Sequence, residues 1–133
     1  MPFKRAFSMA PWEAKIGYCR AVRAGDHIFV TGTAAVDDTG NAFAPGDAYA
    51  QAKRCFEIIG RALRELDADL ACVVRTRMFV TDISRWQEYG RAHEEVFGAH
   101  PPATSMIEVK SLIDPAMLIE VEADAVCPVQ TGS

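Results

Sequence analysis

Apolar residues recur along this chain with two periods, one helical and one alternating, and the two define its elements. From Asp47 onward Ala48, Ala52, Cys55, Phe56, Ile59, Leu63 and Leu66 fall at helical spacing. Glu57, Arg61 and Glu65 lie opposite them at i,i+4 steps. Pro45-Gly46-Asp47 leads into this stretch, with Asp47 placed as N-cap. Ile58 falls among the polar positions and suggests that part of the outer face meets a partner. A second helix is predicted to begin at Ser84-Arg85-Trp86-Gln87, which has the form of a capping box. Its apolar face carries Trp86, His93 and Phe97, with Tyr89 and Val96 alongside. Gly98 is placed to end it, and Pro101-Pro102 prevents its continuation.

The remaining apolar runs are short and read as strands. Tyr18 to Val22 and His27 to Thr31 flank a Gly-centred turn and predict a hairpin. Phe3 to Phe7 suggests an earlier strand. Gly32 directly follows Thr31 and marks a bulge or a close approach to the backbone. Val73 to Thr81, Ala103 to Val109 and Leu118 to Cys127 complete the set, the last being the longest. Asp37 to Asn41 is a loop, and Leu112-Ile113-Asp114-Pro115 a turn. Two helices and about six strands make an α+β domain in which the helices cover one sheet face. The other face must then meet water or another subunit. In the last strand Ile119, Val121, Ala123, Ala125 and Cys127 point one way, and Leu118, Glu120, Glu122, Asp124 and Val126 the other. Three carboxylates in one row repel and need water, cations or a ligand. Arg75 and Arg77 share one strand face and, with Lys110, are the nearby cations.

Length and composition narrow the picture. A chain of 133 residues is one domain, spanning 1–133. It buries about two-thirds of its unfolded surface, enough for one core. The net charge is −4, with 14 basic and 18 acidic residues, so no global attraction to nucleic acid or anionic membrane is expected. No apolar run approaches the ~20 residues of a membrane span, and no secretory signal is expected at the N-terminus. Cys19, Cys55, Cys72 and Cys127 lack Cys-x-x-Cys or zinc spacing and read as small core hydrophobes in a reducing cytoplasm. No metal or cofactor is expected.

Five segments occur in a fixed order. They are Tyr18 to Asp26, Ile28-Phe29-Val30-Thr31-Gly32, Val74 to Asp82, Pro101-Pro102-Ala103-Thr104-Ser105 and Ile119-Glu120-Val121-Glu122-Ala123. In this order they resemble the Rid family, also called YjgF/YER057c/UK114 or endoribonuclease L-PSP, over about Tyr18 to Val126. The resemblance implies a chorismate-mutase-like α+β fold and a homotrimer whose helix-free sheet faces form a central barrel. It implies ligand clefts between subunits. It further implies hydrolysis of reactive enamines or imines to a keto acid and ammonia. By the same resemblance Tyr18, Thr31 and Gly32 line the cleft, and Glu120 orients the water, with Glu122 as an alternative. The deaminating members carry an Arg where this chain has Thr104, and frequently a Cys where it has Met106. Gly90 falls where an Asn often contacts ligand. A guanidinium grips a carboxylate through two charge-assisted bonds, whereas a Thr hydroxyl brings no charge.

Two functions follow. The first is a trimeric small-molecule protein that hydrolyses an enamine or imine other than the usual 2-imino acids, with Glu120 acting on water and Tyr18, Thr31, Gly32, Thr104 and Met106 binding substrate. The second is a non-catalytic module that senses a metabolite. Ribonuclease activity has little support, since no basic stripe with interleaved aromatics is present.

Overall fold

In a computed structural model, residues 3–8 and 10–129 are described. Six strands, β1 (Lys4–Ala6), β2 (Ala21–Ala24), β3 (His27–Ala34), β4 (Val73–Val80), β5 (Ala103–Glu108) and β6 (Ile119–Val126), form one sheet in the order β1-β2-β3-β6-β4-β5. All pairings are antiparallel except β4 with β5. That parallel pair needs a crossover, which α3 (Trp86–Phe97) supplies. The long helix α2 (Ala48–Glu65) packs against β3, β6 and α3. The mixed sheet with α2 and α3 on one face is the expected architecture.

The core is built by the two periodicities. Ala52, Cys55, Phe56, Ile59 and Leu63 of α2 are fully buried, as are Ile119, Val121 and Ala123 of β6. Burying each of the larger side chains contributes about 2 kcal/mol. Asp47 caps α2 by accepting from the Ala50 N–H at 2.9 Å. Gln51 is the polar exception in the core. Its amide accepts from Leu118 N–H and donates to the Ala116 carbonyl, both at 2.8 Å, and so ties α2 to the entry of β6.

Four readings from the sequence need correction. Ile58 is 7% exposed and lines a cavity together with Phe7, Ser8 and Arg20, so within the chain it is already almost wholly buried. The α3 capping box does not form. Asp82 instead accepts from Ser84 N–H and caps a short 3-10 turn at Ile83–Arg85, from which α3 continues. Trp86 therefore starts the helix and is 55% exposed, while Tyr89, Ala92 and Phe97 make its buried face. Finally, a third helix, α1 (Trp12–Ile16), precedes the hairpin. It ends at Gly17 with φ 92°, a conformation that favours glycine. The chain turns there, so β2 starts only at Ala21 and Tyr18 lies outside the strand.

Candidate functional site

The site grows from the end of α1 and the middle of β3. Between Val30 and Thr33 the β3–β6 register shifts, so Thr31-Gly32 is a bulge, as the glycine suggests. A methyl group on Gly32 would lie 2.8 Å from Glu120 Oε2 and 2.9 Å from its Cδ. The Glu120 carboxyl packs directly on this backbone, so any larger residue at position 32 would displace it. The neighbouring Glu122 and Asp124 lie 3.8 and 3.3 Å from Arg77 Nη1. The acid row is thus divided into an ion-paired part and a part facing a cavity, and Glu120 is the one in the cavity.

That cavity, about 120 Å³, is lined by Tyr18, Arg20, Gly32 and Glu120, with Trp12 and Met117 at its edge. Burial pushes the Glu120 carboxyl above its usual range. Arg20 opposes the rise and Glu122 adds to it. Arg20, within the Tyr18 to Asp26 segment, organises this corner. It is 5% exposed. Its guanidinium meets the Glu13 carboxylate at 2.9 Å and donates to the Gly32 carbonyl at 2.8 Å and to Thr33 Oγ1 at 3.2 Å. It also lies 5.7 Å from the Tyr18 ring centroid. Glu13 further accepts from the Ser8 N–H at 2.9 Å and from the Ser8 hydroxyl. With both edges of the guanidinium engaged, Arg20 is a structural cation that fixes the bulge and the field at Glu120. It is not a free clamp for a carboxylate.

The expected residues do not all meet within one chain. Tyr18, Gly32 and Glu120 share the cavity, and Thr31 lines an adjoining groove that also contains Tyr18. Thr104 and Met106 lie elsewhere. Directly paired residues share a sheet face. Thr104 pairs with Thr76 and Thr76 with Ala123, which places Thr104 on the helix-covered side. Glu120 pairs with Phe79 and faces the other way. Thr104 and Met106 line a separate groove of about 510 Å³ with Met78, Gly90, His93 and Pro102. His93, expected on the apolar face of its helix, has a polar partner that its position in the sequence does not reveal. The Thr76 hydroxyl lies 2.8 Å from His93 Nε2 and 2.6 Å from Thr104 Oγ1. These three residues are 17 and 28 positions apart, so no local spacing announces them. Among the described residues no cluster of His, Cys, Asp and Glu is placed to hold a metal ion, and no helix is long and apolar enough to cross a membrane.

A six-stranded mixed sheet with two helices on one face and a glycine bulge against a half-buried glutamate define a small α+β class. Within it, the model of the family described as endoribonuclease L-PSP matches residues 8–127, and the chain belongs to that family. The crystal structure of Rv2704 from Mycobacterium tuberculosis, a member of the YjgF/YER057c/UK114 family, is similar with a TM-score of 0.85 and 43% identity. The match covers 94% of this chain and 99% of that one. SCO2049 of Streptomyces coelicolor is 35% identical over 92% of this chain and 90% of its own length. The 2-iminobutanoate/2-iminopropanoate deaminase of Rattus norvegicus is 27% identical over 92% and 90%.

Proposed function

We propose that this chain forms a homotrimer that binds a small metabolite in clefts between subunits and hydrolyses an enamine or imine lacking the 2-imino acid carboxylate. The observation that carries this reading is the pairing of a half-buried, proton-retentive Glu120 against Gly32 with a groove at Thr104 that no Lys or Arg lines. The two halves face opposite sides of one sheet, so a cleft using both draws them from two copies. The helix-free face suits such an assembly. Phe29 and Ile107 are 49% and 45% exposed there, beside the half-exposed Arg77. Four unbridged cysteines suit a reducing, cytoplasmic setting.

The chemistry needs few groups. An imine carbon is already electrophilic, so the protein must hold it, position water and move protons. The Glu120 carboxylate takes a proton from water as the oxygen bonds to the imine carbon. Glu120 then returns that proton to the nitrogen. Glu120 next takes the hydroxyl proton of the resulting carbinolamine and passes it to the nitrogen, the C–N bond breaks as the carbonyl forms, and ammonia leaves, so imine plus water gives carbonyl plus ammonia. A carboxyl raised toward neutral is suited to both transfers. The related rat deaminase makes this reaction class the reference, and Thr104 sets the substrate apart from 2-imino acids.

The test is turnover of imines with and without a carboxylate by wild type and Glu120→Ala. Wild type is expected to hydrolyse a non-carboxylate imine, and Glu120→Ala to bind the same compound without reaction. Binding without turnover by wild type would replace hydrolysis with metabolite sensing. Sedimentation of a stable monomer would remove the intersubunit cleft.

A further inference from the structure

The Thr104 groove carries one feature that the hydrolytic reading does not use. Thr76 is fully buried beneath it, yet its hydroxyl is engaged on both sides, by His93 Nε2 at 2.8 Å and by Thr104 Oγ1 at 2.6 Å. One hydroxyl has one proton to give. If His93 carries its proton on Nδ1, Nε2 accepts from Thr76. Thr76 then accepts from Thr104, and Thr104 offers only lone pairs to the groove. If the proton is on Nε2, the chain runs the other way, and Thr104 presents its O–H outward. The His93 ring is held for this task between Phe56 and Phe97, with centroids at 5.7 and 4.7 Å. Burial holds the imidazole below its usual range and so favours the neutral form.

We propose that His93, acting through Thr76, sets whether Thr104 donates or accepts, and that the groove thereby receives an uncharged polar group such as an amide or hydroxyl. His93 and Thr76 are positioning residues, and Thr104 touches the ligand. The rest of the lining agrees. Met78, Met106, Pro102 and Phe97 are apolar, and the charged residue among them is Glu94, which repels a carboxylate. The Gly90 Cβ position is open, with nothing within 4 Å, so the groove accepts a branched group. This inference rests on the Thr104 groove being part of the ligand cleft, and it reads binding rather than turnover.

The experiment uses the intact protein with 13C-methyl methionine and 15N histidine. It is titrated with isobutyramide and with isobutyrate, which match in shape and differ in charge. The amide is expected to shift the Met106 methyl saturably and to change the His93 nitrogen shifts toward one tautomer. Isobutyrate is expected to bind at least about tenfold more weakly. Thr76→Val and Thr104→Val should each weaken the amide about threefold to tenfold, the worth of one neutral hydrogen bond. Thr76→Val should also abolish the His93 response, which a purely structural role would not move, and Thr76→Ser should restore both. Thr104 is exposed, so Thr104→Val carries the affinity test even where Thr76→Val fails to fold. Equal binding of isobutyrate, an unchanged His93 response in Thr76→Val, or no Met106 shift with either probe would overturn the proposal. Imine hydrolysis failing while the amide still binds would count against the hydrolytic reading alone.

Discussion

Replacing Glu13 by Gln should cost the protein a large part of its stability. Glu13 and Arg20 form an ion pair at 2.9 Å with side chains only 5% and 6% exposed. Glutamine keeps the size and part of the hydrogen bonding but removes the charge. Arg20 Nε at 3.2 Å and Nη2 at 2.9 Å then face a neutral amide, and a full positive charge stays out of water. Removing one partner of a buried pair costs about 3–5 kcal/mol. That is a large share of the roughly 5–15 kcal/mol by which a domain is stable. For a chain this long, each kcal/mol moves Tm by about 3–4 °C, so a fall of about 9–20 °C is expected. The assay is urea unfolding with thermal scans at fixed protein concentration, because an oligomer's apparent stability depends on it. Replacing both partners by apolar residues, Glu13→Leu with Arg20→Met, should recover much of the loss, since the buried charge goes as well. A loss below about 1 kcal/mol in Glu13→Gln, typical of an exposed pair, would refute the reading of Arg20 as the structural cation of this corner.

Other outcomes follow from the same geometry. Gly32→Ala should fold, because the atom its methyl meets at 2.8 Å is the flexible end of Glu120. Turnover should nevertheless fall by about 10²-fold as the carboxyl is displaced, and unchanged kcat/KM would count against Glu120. Glu120→Gln should stabilise the protein at neutral pH. The folded pKa of Glu120 is raised, chiefly by burial, so its favourable contribution exists below the ordinary carboxylate pKa and is lost as pH rises through the folded value. The gain of the variant should therefore vanish in acid, and a gain that grew toward low pH would reverse the argument. Asp47→Ala should cost about 1 kcal/mol by losing the cap on Ala50 N–H, read in urea unfolding. No loss would mean that water satisfies the helix end equally well.

Much of the fold is visible in the sequence because its elements announce themselves locally. The stripe from Ala48 to Leu66 is buried as its spacing predicts. The alternation in β6 separates Ile119, Val121, Ala123 and Ala125 from the acids. The glycine after Thr31 marks the bulge. What is hidden is tertiary or too short to repeat. Five residues of α1 give barely one turn of pattern. Asp82 takes the capping role that the spacing of Ser84 and Gln87 predicts for Ser84, because an Asp two residues earlier can bond the same turn. Ile58 lines a cavity with Phe7 and Ser8, which are distant in sequence. The site divides in the same way. Gly32 and Glu120 are legible from motif order, but the choice of Glu120 over Glu122 needed the pairing of Arg77 with Glu122 and Asp124. The Glu13–Arg20 pair and the His93–Thr76–Thr104 chain join elements that only the folded sheet brings together.

The central claim is that the water-handling half of the cleft is competent while Thr104 redirects substrate choice. The most direct measurement generates 2-imino acids with an amino acid oxidase, traps them with semicarbazide and compares wild type with Thr104→Arg. The account predicts little hydrolysis by wild type and a clear gain in the Arg variant, whose guanidinium restores a carboxylate partner in a groove that lacks a cation. Efficient hydrolysis of 2-imino acids by wild type would contradict it, because a carboxylate would then be held without the charge that Thr104 has given up.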